Sequence, residues 1–140
     1  MNVASLELCK ELYELSGWDD TYFSWNFNSS VPEQGWYVDD DNLAYPKSDT
    51  YPAYDLGYLL QKLPKNISRN GNLYWLTLDC NLREEWMVWY NGRSSDDLMP
   101  DVDYSLVCAD TPEDAAAKLA IELFKQGILK PLVEPLEPSI

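Results

Sequence analysis

Carboxylates are the side chains of this sequence dense enough to do chemistry. Asp39, Asp40 and Asp41 are consecutive, and Asp96, Asp97, Asp101 and Asp103 form a second cluster. Hard cations take such oxygens, but a calcium loop needs a central glycine and a closing glutamate. The first run has neither, and the second interposes Leu98-Met99-Pro100, so no metal is expected. Asp79, Glu84 and Glu85 fall near the end of a predicted strand, where paired carboxylates can run glycoside chemistry. Glu84 and Glu85 read more simply as turn residues in solvent, and no catalytic residue is expected. The chain has no His, which removes Ser-His-Asp and Cys-His couples and histidine zinc sites. Cys-x-x-Cys, Gly-x-Gly-x-x-Gly and the Walker lysine loop are also missing, so no cofactor is expected. The acid clusters read either as solvated loops or as a negative surface that imitates nucleic-acid phosphates or attracts a basic protein. Aromatic residues beside them, Trp36, Tyr37 and Tyr45, offer anchor contacts of the kind that dominate interfaces. The expected partner-binding set is therefore Asp39, Asp40, Asp41, Asp96, Asp97, Asp101, Asp103, Trp36 and Tyr37.

The whole composition supports binding to a basic surface and excludes several alternatives. With 24 Asp+Glu against 10 Lys+Arg the net charge is −14. Binding to phosphate backbones relies on Lys and Arg displacing counterions, so direct nucleic-acid binding is not expected, and anionic membranes are disfavoured for the same reason. No stretch approaches the ~20 apolar residues of a membrane span. The first twenty residues carry Glu7, Glu11 and Glu14 and lack the pattern of a signal peptide. Cys9, Cys80 and Cys108 are odd in number and far apart, which argues against a disulfide framework. Cys9 and Cys108 stand among apolar neighbours and are expected in the core. The Asn28-Ser29-Ser30 and Asn66-Ile67-Ser68 sequons then read as accidental, and a cytoplasmic compartment is expected. At 140 residues and 46% hydrophobic, the chain suits one domain with a real core.

The elements that must position these residues follow from spacing. Leu6, Cys9, Leu12, Tyr13 and Ser16 form one face of a helix that Gly17 ends. Tyr22–Phe27 alternates weakly and suits an edge strand, and Trp36-Tyr37-Val38 offers another. The rest of 28–50 reads as long irregular connection. From Thr50, a capping threonine, Pro52 in the first turn and Asp55 precede the stripe Leu56, Leu59, Leu60 and Leu63, which Pro64 stops. Gly57 lies inside that helix at a cost of ~1 kcal/mol, for which close approach of another backbone is the expected reason. Leu73–Cys80 and Glu85–Tyr90 are the best strands, with a turn starting at Asn91-Gly92. Apolar residues fall on both faces of each, so both faces are expected to be covered and Trp75, Trp86 and Trp89 to be core. A third strand covers Tyr104–Ala109. Thr111-Pro112-Glu113-Asp114 opens a helix that Gly127 closes, with Ile128 packing back. The expected fold is α+β: an antiparallel sheet of three to five strands packed with about three helices, single-layer or as an α/β/α sandwich. Residues 1–129 form one domain and the Pro-rich 130–140 an extended tail.

Three stretches together carry a family resemblance. Pro52–Pro64 is similar to the Asp-Leu-Gly-Tyr-Leu-Leu helix of small bacteriophage and prophage proteins. Leu73–Tyr90, with Trp75 and Trp89, resembles their paired aromatic strands, and Asp110–Leu129 resembles their closing helix. The family is the phage α-β-α sandwich domain, and the matching motifs are caps, turns and core stripes that name no functional residue. The resemblance implies a phage accessory protein acting in a bacterial cytoplasm. A non-catalytic protein is then expected whose acidic loops dock on a basic host protein, inhibiting a defence or nucleic-acid-binding enzyme such as a restriction or CRISPR nuclease. The alternatives are a small-ligand site or carboxylate-based enzyme built on the aromatics of Tyr22–Tyr58, and a phage structural component.

Overall fold

A computed structural model describes residues 2–28, 30–40, 50–69, 71–92 and 102–131. Helix α1 (Leu6–Ser16) is followed by strand β1 (Phe23–Phe27), a 3-10 turn (Pro32–Gln34), β2 (Trp36–Asp39), β3 (Thr50–Ala53) and helix α2 (Leu56–Lys62). Then come β4 (Asn66–Arg69), β5 (Asn72–Cys80), β6 (Trp86–Gly92), β7 (Val102–Ala109) and helix α3 (Pro112–Lys125). The fold is α+β, as expected, with two antiparallel sheets ordered β2-β1-β3 and β4-β5-β6-β7.

Helices α1 and α3 form where their apolar stripes and closing glycines predict. Ser5 caps α1, and Gly17, at φ 71°, closes it by donating to the Tyr13 carbonyl. Thr111 caps α3 through the Asp114 N–H. At its far end Ile128 N–H reaches the Leu123 carbonyl and Gly127 N–H that of Phe124, the paired bonds of a Schellman close. The apolar face of α3, including Ala116, Leu119, Ala120 and Leu123, is fully buried. It lies against β6 and β7, with α1 and α2 beside it and β3 bringing the smaller sheet against α1. Tyr74, Leu76, Leu78, Trp86, Val88 and Tyr90 complete the core from the sheet side.

Several expectations are corrected. Thr50–Ala53 is a strand, and α2 starts later, with the Asp55 carboxylate accepting from the Tyr58 N–H at 2.7 Å. Pro52 is accommodated because β3 is an edge strand, where a missing N–H breaks no ladder. Asn91-Gly92 continues β6, pairing with β5 on one side and β7 on the other, so no turn begins there. The outer face of the larger sheet is open: Leu73, Trp75 and Leu106 are 41%, 51% and 51% exposed. Trp75 is thus not core, Trp89 is only partly buried on the same face, and Trp86 alone of the three packs into the core cluster. Cys108, opposite Met87, is exposed with that face, while Cys9 is fully buried. Around Gly57 a Cβ would meet nothing but Asp55 Oδ1 at 3.8 Å, so no backbone approaches it.

Candidate functional site

Only part of the expected partner-binding set falls within the described residues. Asp41, Asp96, Asp97 and Asp101 lie outside the described residues, as do Tyr45 and the tail from 132, and Asp103 is described only as a backbone position of β7. Trp36 and Tyr37 are neighbours on a strand and so face opposite ways. Trp36 lies inward among Phe27 and Tyr51, with ring centroids at 5.5 and 5.9 Å, and Lys10 Nζ from α1 sits 4.9 Å over its ring. It is a packing residue. Tyr37, 45% exposed, shares a face with Asp39, whose carboxylate accepts from the Asp40 N–H at 2.7 Å. Tyr37, Asp39 and Asp40 are what remains of that set on the described surface. Among the described residues no group of three His, Cys, Asp or Glu converges on a metal position.

A different surface does combine carboxylates with exposed aromatics. The segment from Gly17 to Tyr22 links α1 to β1 and is held at its base by Trp18, which is buried. Tyr54 hydroxyl donates to the Trp18 carbonyl at 2.7 Å, and the Trp18 indole meets Tyr54, Tyr58 and Phe124 edge-on. Beyond this anchor Asp19, Asp20 and Tyr22 project outward, Tyr22 at 79% exposure. Facing them, α2 presents Gly57, Tyr58, Gln61 and Lys62, and between the two lies a cleft of about 470 Å³.

The electrostatics of the cleft centre on Asp20. Its Oδ1 accepts a short hydrogen bond from the Tyr58 hydroxyl and stands 3.7 Å from Lys62 Nζ. The Tyr58 bond, with the Lys62 charge assisting, holds the Asp20 carboxyl below its ordinary value. Burial, and then the bond to Asp20, push the Tyr58 phenol well above its ordinary value. Asp20 therefore stays ionised and Tyr58 neutral around neutral pH. Lys62 Nζ also lies over the Trp18 and Tyr58 rings, at 5.7 and 5.3 Å. The cleft thus already holds one ammonium between an anion and two aromatic faces.

Sequence reasoning reaches this site only through the alternative of a ligand site on the aromatics of Tyr22–Tyr58, and passes over its acids because Asp19-Asp20 is a shorter run than the two clusters. Tyr22 was read as strand, and only folding brings α2 across from it. A usable signal was the glycine in α2 that no helix rule required. No protein-family model, curated protein or solved structure matches the chain.

Proposed function

We propose that this chain is a non-catalytic acidic binding protein that docks on a basic surface of a partner protein. The observation that carries it is Tyr22, a tyrosine 79% exposed beside two exposed carboxylates at the mouth of a cleft. An exposed aromatic on a pinned backbone supplies contact area with little ordering cost, as interface anchors do. The net charge of −14 supplies long-range attraction and a fast encounter with a positive surface. The resemblance to small phage proteins makes a bacterial host the source of the partner. Enzymes that handle nucleic acid, defence nucleases among them, are the class whose surfaces carry the matching charge.

Affinity capture with the full chain from bacterial lysate, washed in rising salt, tests this. The expected result is a basic protein retained at low ionic strength, released as salt rises, and lost with the double variant Asp20→Lys, Tyr22→Ala. Retention that ignores both salt and the variant overturns it, as does the capture of nothing. A small-ligand site is the second reading, favoured by a cleft volume within the range of ligand pockets, ~300–1,000 Å³. Its mark would be a thermal shift of several degrees from a nucleotide or sugar.

A further inference from the structure

We infer that the cleft between Tyr22 and α2 is a receptor for a guanidinium group, an arginine side chain of the basic partner. The inference rests on the docking reading above and names what enters the cleft. Gly57 is the first observation. It occupies the first turn of α2 with an ordinary backbone, an added Cβ would make only van der Waals contact with Asp55 Oδ1 at 3.8 Å, and glycine costs a helix ~1 kcal/mol relative to alanine. The fold therefore gains nothing from its missing side chain. What the absence does is leave the wall of the cleft bare between Asp55, Tyr58 and Gln61.

Charge and shape name the occupant. The cleft is lined by the carboxylates of Asp20 and Asp55 against Lys62 alone among the described residues lining it. Tyr58 and Lys62 both engage Oδ1 of Asp20, while the carboxylate remains 67% exposed and so open to a donor from outside. The Gln61 side chain, exposed on the same wall, adds an amide oxygen. A guanidinium is planar, presents several N–H donors in one plane and stacks on aromatic rings. It can lie flat against Tyr22 while donating to Asp20, an arrangement a compact ammonium cannot match. Lys62 is no obstacle, because its ion pair has partners 29% and 67% exposed, and such surface pairs contribute little and exchange readily. Lys62 instead marks the cation preference of the site, and its stem stays over the Trp18 and Tyr58 rings when its ammonium swings aside.

The test titrates the full chain with N-acetyl-arginine amide, following tyrosine and tryptophan fluorescence or amide NMR shifts. N-acetyl-lysine amide and the uncharged isostere N-acetyl-citrulline amide are run beside it. Saturable binding of the arginine compound is expected, with shifts confined to 18–22 and 55–62, weaker binding of lysine and none of citrulline. Asp20→Asn should weaken the arginine compound about ten-fold, the loss of one charge-assisted bond. Gly57→Leu should abolish binding while the melting temperature holds or rises, since leucine is the better helix former. No saturable binding, equal binding of citrulline, or undiminished binding in Gly57→Leu overturns the inference. If the arginine compound fails while salt-sensitive partner capture succeeds, the docking reading stands and the guanidinium receptor falls. If the arginine compound binds while capture fails, the docking reading falls, and the partner arginine that rests on it falls too.

Discussion

Glu84 adopts φ 61° in the turn between β5 and β6, the only non-glycine described residue with positive φ. The turn is held by Asn81, whose side-chain oxygen accepts from the N–H groups of Arg83 and Glu85 at 2.8 and 3.0 Å. Left-handed backbone costs an L-residue about 1–2 kcal/mol, part of which glycine returns as unfolded-chain entropy. Glu84→Gly should therefore stabilise the protein by about 0.5–1 kcal/mol, read as a raised urea midpoint at constant slope. Cys9 gives a second prediction. Burial pushes its thiol from 9.0 up to about 12, and the Tyr54 and Tyr90 phenols are raised by burial too. The folded chain thus keeps protons that the unfolded chain releases from pH ~9 upward, so stability is full below that pH and declines as it rises toward 12. Denaturation midpoints should fall between pH 8 and 10.5. At pH 8 iodoacetamide should modify Cys80 and Cys108, which are exposed, and reach Cys9 only on unfolding. Three labels on the native protein would contradict its burial.

At the scale of elements, the starts of α1 and α3 are tied together. Asp114 sits in the first turn of α3, and its Oδ1 accepts from the Ser5 N–H, the cap of α1, at 2.7 Å. Hydrogen bonds to charged acceptors contribute about 1.5–3 kcal/mol, so Asp114→Ala should cost roughly 2 kcal/mol and Asp114→Asn distinctly less, measured by chemical denaturation. A cost below ~0.5 kcal/mol, the usual range for surface changes, would show that the tie is dispensable. The helix ends were legible in advance because Thr111, Pro112, Gly17 and Gly127 act on the backbone beside them. Strand β3 was not. Thr-Tyr-Pro-Ala-Tyr-Asp satisfies a helix start locally, and only pairing with β1, Thr50 opposite Asn26 and Ala53 opposite Phe23, makes its first four residues a strand. Asn91-Gly92 misled for the same reason. Its turn preference yields to partners on both sides, Tyr74 and Trp75 in β5, Val102 and Asp103 in β7.

Across the whole molecule the dominant quantity is the charge of −14. Self-repulsion opposes the compact state, and salt screens it over a Debye length of about 10 Å at 0.1 M. Raising sodium chloride from 10 mM to 500 mM should therefore stabilise the protein. A gain of about 1 kcal/mol would raise the melting temperature by roughly 4 °C, and a flat or falling trend would mean the carboxylates are locally compensated. That charge, the helix caps, the core stripes and the absence of histidine chemistry were readable from residue types alone, because each is either a sum over the chain or an effect confined to neighbours in it. Which sheet face lies open, that Trp36 is packed while Tyr22 is exposed, and that Asp20 meets Tyr58 and Lys62 from α2 were not readable. Those depend on contacts between residues tens of positions apart, and only the packing of α2 opposite the Gly17–Tyr22 segment brings them together.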